Sequence, residues 1–207
     1  MDTTEGECGA TYTRRFLAEA ATILERLNEA EVERIVGLLL QLRDRRGRLF
    51  FLGVGGSAAN CSHATNDFRK LVGIEAYAPT DNVSEVTART NDEGWDTVFV
   101  EWLKVSRLRD GDMVFVFSVG GGDVKRNVSA NIVRGLEFAR SVGATIVGVV
   151  GRDGGYTAEV ATACVVVPMV NPETVTPHAE AFQGLIAHLL VSHPALQMRP
   201  AKWESTV

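Results

Sequence analysis

Four short stretches of this chain, Leu49–Leu52, Met113–Phe117, Thr145–Val150 and Ala163–Val167, are continuously apolar rather than alternating. An alternating strand buries one face. A continuous one must be covered on both, which is the pattern of parallel strands sandwiched between helices. The intervening stretches Ser57–Val72, Trp95–Arg107, Asn131–Val142 and Thr157–Ala161 have helical character, a weaker strand is read at Glu75–Ala78, and a further helix starts near Asn82. This alternation predicts a three-layer α/β sandwich around a doubly wound parallel sheet.

Two amphipathic helices come first. Phe16, Leu17, Ala20, Ile23, Leu24 and Leu27 recur at helical spacing within Tyr12–Asn28, and Val32, Ile35, Leu38, Leu39 and Leu42 do so within Glu31–Arg46. The hairpin over residues 12–46 covers either a sheet face or a partner subunit. The last helix is expected to begin at Pro177, since proline suits a first turn, and to end near Ser192 before Pro194. Residues 1–11 read as frayed and 194–207 as a tail that is loose or packed on another subunit. With no repeats or long linkers, the reading is a single domain over 1–207, its α/β core at 47–193.

Composition excludes several classes. A net charge of −5 leaves no basic excess for a general nucleic-acid binder. The three cysteines, Cys8, Cys61 and Cys164, form neither a zinc pattern nor a disulfide framework, and free thiols suit a cytoplasmic setting. The acidic, polar start is no signal peptide, and the apolar runs fall short of a membrane span.

Glycine-rich loops follow three of the strands: Gly53-Val54-Gly55-Gly56-Ser57, Ser118-Val119-Gly120-Gly121-Gly122-Asp123 and Gly151-Arg152-Asp153-Gly154-Gly155. Open α/β sheets bind ligands outside the carboxyl ends of their strands, where glycine lets backbone amides approach an anion. Gly55, Gly56, Ser57, Ser118, Gly120, Gly121 and Gly122 are therefore candidates for holding a sugar phosphate. Asn91 and Asp92 are either turn chemistry or ligands for sugar hydroxyls. Gly53–Ala58 also fits a loose dinucleotide fingerprint, but Glu75 begins its strand instead of ending it, so no nucleotide cofactor is expected. His63 and Asp67 lie four apart on one helix face, as a surface pair or as groups for proton or metal chemistry. His188 sits among Leu185, Ile186, Ala187, Leu189 and Leu190.

Taken together, these motifs resemble the sugar isomerase (SIS) domain family, and within it the phosphoheptose isomerase group. The resemblance covers nearly the whole chain. It implies a flavodoxin-like α/β sandwich, a homotetramer with active sites at subunit interfaces, conversion of sedoheptulose 7-phosphate to an aldoheptose 7-phosphate, and zinc in some members. It places the family's histidine, catalytic glutamate and catalytic C-terminal histidine at His63, Asp67 and His188. A family glutamine falls at Glu180 and a family histidine at Gln183. Two departures bear on the substrate. Asp67 is one methylene shorter than the usual glutamate. The usual Ser-Thr-Ser-Gly-Asn-Ser loop here reads Ser118-Val119-Gly120-Gly121-Gly122-Asp123, followed by an insertion to about Ser129, with Lys125 or Arg126 available to offset Asp123.

On that basis Asp67 is the expected base at carbon in an enediol isomerisation and His188 the matching acid–base group. His63, Asp67, Glu180 and His188 also read as two nitrogen and two oxygen ligands, which suits zinc. However, Glu180 and His188 are eight residues apart, about 12 Å along a helix axis, so both can hold one metal only if Glu180 leaves the helix or comes from a neighbouring subunit. The alternative is a non-catalytic sugar-phosphate sensor or protein-binding scaffold, for which the acid–base residues need not be kept.

Overall fold

The computed structural model describes residues 9–202, 204 and 206. Helices α1 (Gly9–Arg26) and α2 (Glu29–Asp44) lead into strand β1 (Leu49–Leu52). There follow α3 (Gly56–Asp67), β2 (Ala76–Tyr77), α4 (Val83–Asp92), α5 (Val98–Val105), β3 (Met113–Ser118), α6 (Ala130–Ser141), β4 (Thr145–Val150), α7 (Gly155–Val160), β5 (Ala163–Val166) and α8 (Val175–Ser192). All strand pairs are parallel, in the order β2-β1-β3-β4-β5. The direction of winding reverses at β1 and β3. That is the switch point of a flavodoxin-like sheet, where the loops after the two strands diverge and open a crevice.

β1 and β3 are buried at every position, as continuous apolar runs require. One core joins the sheet to α2, α3 and α8 through Ile35, Leu39, Phe51, Phe115, Phe117 and Ile186. A second joins the opposite face to α5 and α6 through Phe50, Phe99, Leu103, Val116 and Leu136.

The leading hairpin covers the sheet chiefly through α2, whose Leu39 and Leu42 are wholly buried. Asn28 starts α2 by accepting the Glu31 amide on its side chain. α1 buries Ile23 but leaves Leu17 and Leu24 in solvent.

Two boundary readings are corrected. Residues 9–11 are helical, not frayed, while residues 1–8 lie outside the described residues. The segment after α8 is anchored, not loose, at least through Arg199. Leu196 is buried, Arg43 donates to the Leu196 carbonyl at 2.7 Å, and the Met198 amide donates to the Leu71 carbonyl at 2.8 Å. Pro177 falls at the third residue of α8 instead of the first, still within the turn whose amides need no intrahelical acceptor.

Candidate active site

The first glycine loop is shaped by how closely β1 approaches α3. A Cβ at Gly53 would come within 2.8 Å of the Cys61 sulfur and of the Ser57 carbonyl. Gly55, with φ +63°, takes the left-handed turn that starts α3, and no side chain caps it. Ser57 is 1% exposed, and its hydroxyl has no hydrogen-bond partner among the described residues. A buried hydroxyl left unpaired at an uncapped helix start fits a missing acceptor. The helix start is not vacant, however. A Cβ at Gly56 would run into the carboxylate of Glu180, so that anion already faces the positive end of α3.

Two turns further along, α3 presents His63 and Asp67, and α8 presents His188 beside them. Asn60 docks the two helices by donating to the Glu180 carbonyl at 2.9 Å and to the Gln183 side chain at 3.2 Å. His63 Nε2 lies 3.1 Å from Asp67 Oδ2, and His188 Nδ1 lies 3.8 Å from the same oxygen. The imidazoles meet edge to face, 4.9 Å between centroids. Asp67 Oδ1 accepts the Asn66 amide at 2.9 Å. Asp67 is the last α-helical residue before a π-helical turn over Phe68–Val72, a distortion often found at functional sites.

The side chains of His63 and His188 are 59% and 60% exposed and that of Asp67 15%, so a half-sheltered carboxylate sits between two open imidazoles. The crevice among these residues measures about 10 Å³, room for a single water-sized sphere. Beside it, a groove of about 650 Å³ runs between α3 and the β2–α4 side, lined by Ser62, Thr65, Asn66, Arg69, Tyr77 and Trp102.

One nitrogen from each of His63 and His188 and one oxygen of Asp67 lie within 4.8 Å of one another, the only such His, Cys, Asp or Glu cluster among the described residues. Glu180 is not part of it, which corrects the four-ligand reading. It lies within α8, and its carboxylate sits at Gly56, seven residues and about 10 Å back along α3 from His63.

The second glycine loop is fastened to the third. The Ser118 hydroxyl accepts the Gly121 amide at 3.0 Å. The Gly121 and Gly122 carbonyls accept the Thr157 and Tyr156 amides at the start of α7, both at 2.9 Å. A side chain at Gly121 would overlap the Gly154 carbonyl, and one at Gly155 would overlap those of Gly120 and Gly122. Close backbone contact thus accounts for Gly121 and Gly155. The insertion is a small hairpin closed by paired backbone bonds between Asp123 and Val128. Asp123 takes the Arg126 amide and guanidinium, at 2.8 and 2.7 Å, which hold its carboxyl below the usual range.

Asn91 and Asp92 are exposed at the end of α4, bonded to each other at 2.7 Å, and are not brought to the His63 cluster within this chain. His178, in the first turn of α8, belongs to a separate network. Its Nε2 lies 2.9 Å from Glu19 Oε2, which also accepts the Thr174 hydroxyl at 2.7 Å, and Glu19 Oε1 accepts the Asn171 amide at 2.7 Å. Sequence reasoning missed Glu19, because its partners lie more than 150 residues away. Burial raises the Cys61 thiol far out of range and pushes the Cys164 thiol up to about 12.

The sheet order, the glycine loop after β1 and the acid–base cluster bridging α3 and α8 define a phosphosugar-binding α/β protein, and sequence comparison agrees. The SIS domain profile matches residues 15–151, and the chain belongs to the SIS domain family. Within it the chain falls in the phosphoheptose isomerase group. It is 30% identical over 184 residues to the phosphoheptose isomerase of Rhodospirillum rubrum, covering 86% of this chain and 92% of that one. It is also 29% identical over 201 residues to the lincomycin biosynthesis protein LmbN of Streptomyces lincolnensis, covering 92% of this chain and 71% of LmbN. The phosphoheptose isomerase GmhA of Neisseria gonorrhoeae shares the fold, with a TM-score of 0.77 at 24% identity over 89% of this chain and 98% of that one. Among the described residues no helix is long and apolar enough to cross a membrane.

Proposed function

We propose that the chain is a ketose–aldose isomerase that converts sedoheptulose 7-phosphate to D-glycero-D-manno-heptose 7-phosphate through an enediol. The observation that carries this reading is the His63–Asp67–His188 cluster, two turns along the helix whose start holds the unpaired Ser57 hydroxyl. Asp67 takes the proton from the carbon next to the ketone while His188 supplies a proton to the carbonyl oxygen, giving the enediol. Asp67 then returns its proton to the former carbonyl carbon while His188 takes the proton from the hydroxyl on the neighbouring carbon, which yields the aldose. Ser57 and the first amides of α3 hold the phosphate, which fixes the reacting carbons over the cluster. Asn91 and Asp92 would serve the sugar hydroxyls from a neighbouring copy.

Two imidazoles and a carboxylate this close also suit zinc with an open position, with His63, Asp67 and His188 as its ligands. When bound, zinc supplies positive charge for the oxygen on which negative charge develops.

The functional unit is proposed to be a homotetramer with sites at subunit interfaces. Two features support this. The cluster lies open on the surface, and apolar area is left in solvent by Leu185 and Leu189, next to His188 in α8, and by Leu17 and Leu24 on α1.

The test is incubation with a panel of ketose phosphates in deuterated water. Solvent deuterium at the carbon next to the carbonyl, with sedoheptulose 7-phosphate the preferred substrate, is expected. Folded protein that exchanges no ketose phosphate would leave the non-catalytic reading standing.

A further inference from the structure

The interior of α8 carries a glycine, Gly184, that nothing within the chain demands. Its backbone is ordinary helix, not left-handed, and glycine is the poorest helix former after proline. A Cβ there would meet only Asn60 Oδ1, at 3.7 Å, an ordinary contact. Alanine would therefore fit and would make the better helix. What glycine preserves is space. Gly184 is half-exposed and lines the crevice of about 10 Å³ that Asn60, His63, Asp67 and His188 share. With a methyl 3.7 Å from Oδ1, no atom could lie between the two.

Asn60 is oriented to use that space. Its Nδ2 donates to the Glu180 carbonyl and to the Gln183 side chain. A carbonyl only accepts, so the amide nitrogen must face α8 and the flipped amide is excluded. Oδ1 is left beside the Gly184 notch, where it accepts no hydrogen bond among the described residues. A notch of this size takes one water-sized group, and a donor is the group that suits the oxygen. An amide oxygen does not pass protons on, so the donor that fits is a hydroxyl outside the proton transfers.

We propose that Asn60 and Gly184 position the substrate: the hydroxyl on the carbon beyond the ketone, on the side away from the proton transfers, enters the notch and donates to Asn60 Oδ1. This contact rests on the isomerase reading above, which sets the reacting carbons at Asp67 and His188.

Sedoheptulose 7-phosphate and its 3-deoxy analogue are the probes, compared by calorimetry. Both carry the phosphate and the ketone, so contacts at Ser57 cancel in the ratio of their affinities. The parent is expected to bind the full sugar roughly tenfold more tightly, as a site built to hydrogen-bond a hydroxyl does. Gly184→Ala should bring the ratio to about twofold or less while raising Tm by about 2–4 °C, the gain from alanine inside a helix in a chain of this size. A merely structural glycine would not yield a more stable protein that discriminates less. Asn60→Ala should lose the preference too. No preference in the parent, a preference kept in either variant, or a lower Tm in Gly184→Ala overturns the proposal. So does a changed sedimentation coefficient in Gly184→Ala, which would give the glycine to subunit contact. Deuterium exchange judges the isomerase reading separately: discrimination without exchange removes that reading and leaves the hydroxyl contact, and exchange without discrimination does the reverse.

Discussion

Replacing Glu19 by glutamine should destabilise the protein in a pH-dependent way. The carboxylate accepts hydrogen bonds from Asn171 and Thr174, meets His178 at 2.9 Å, and its side chain is 11% exposed. The Asn171 bond, then those of His178 and Thr174, hold its carboxyl at about 2, against an ordinary 4.5. Because the folded value is the lower one, the stabilisation is present above the unfolded value and is lost as pH falls from there through the folded one. At 1.36 kcal/mol per pH unit, the shift corresponds to about 3 kcal/mol at neutral pH, of which roughly 2 kcal/mol is gone by about pH 3. Glu19→Gln keeps one acceptor and places an amide where donors converge. It should cost about 2–3 kcal/mol at neutral pH, or roughly 5–10 °C in Tm for a chain of this size. Urea unfolding followed by circular dichroism at neutral pH and near pH 3 measures both quantities. A variant within about 0.5 kcal/mol of the parent at neutral pH, or a gap that does not narrow in acid, would refute the argument.

Asp67→Asn should lower the rate of deuterium exchange by roughly 10²–10⁴-fold while leaving thermal unfolding nearly unchanged, because it removes the base without disturbing the core. Glu180→Gln removes the carboxylate that faces the start of α3, so KM for the ketose phosphate should fall about three- to tenfold; a rise in KM would mean that Glu180 assists binding. Asp112 is fully buried just before β3, at the amino ends of the strands and away from the glycine loops, and pairs with Arg48 at 2.6 Å. Asp112→Ala should cost about 3–5 kcal/mol in urea unfolding, since it strands a partly buried guanidinium.

The sheet was legible because burial on both faces writes itself into composition. The runs at 49–52, 113–117 and 145–150 match β1, β3 and β4 to within a residue. β2 was faint because only Ala76 and Tyr77 pair, at an edge where little apolar surface is needed. The pairing of His63 with Asp67 follows from helical spacing alone, and the structure brings His188 to them. Glu180 was read as a fourth ligand through the resemblance; it stays within α8, and the helical rise keeps it from the cluster of its own chain. The sequence reads the glycines at 120–122 as an anion cradle. The close approach of residues 154–155, which no sequence pattern records, gives Gly121 to backbone packing. Long-range polar partners such as Glu19 with His178 leave no periodic signature.

The placement of the two loops has a consequence for how such a protein can diversify. The acid–base cluster stands on α3 and α8, which share one core, whereas the inserted hairpin rises from the junction with α6, which packs into the other. Residues 123–128 can lengthen, shorten or change charge without altering the spacing of His63, Asp67 and His188. A library confined to that hairpin should therefore retune substrate choice while leaving the proton-transfer geometry intact.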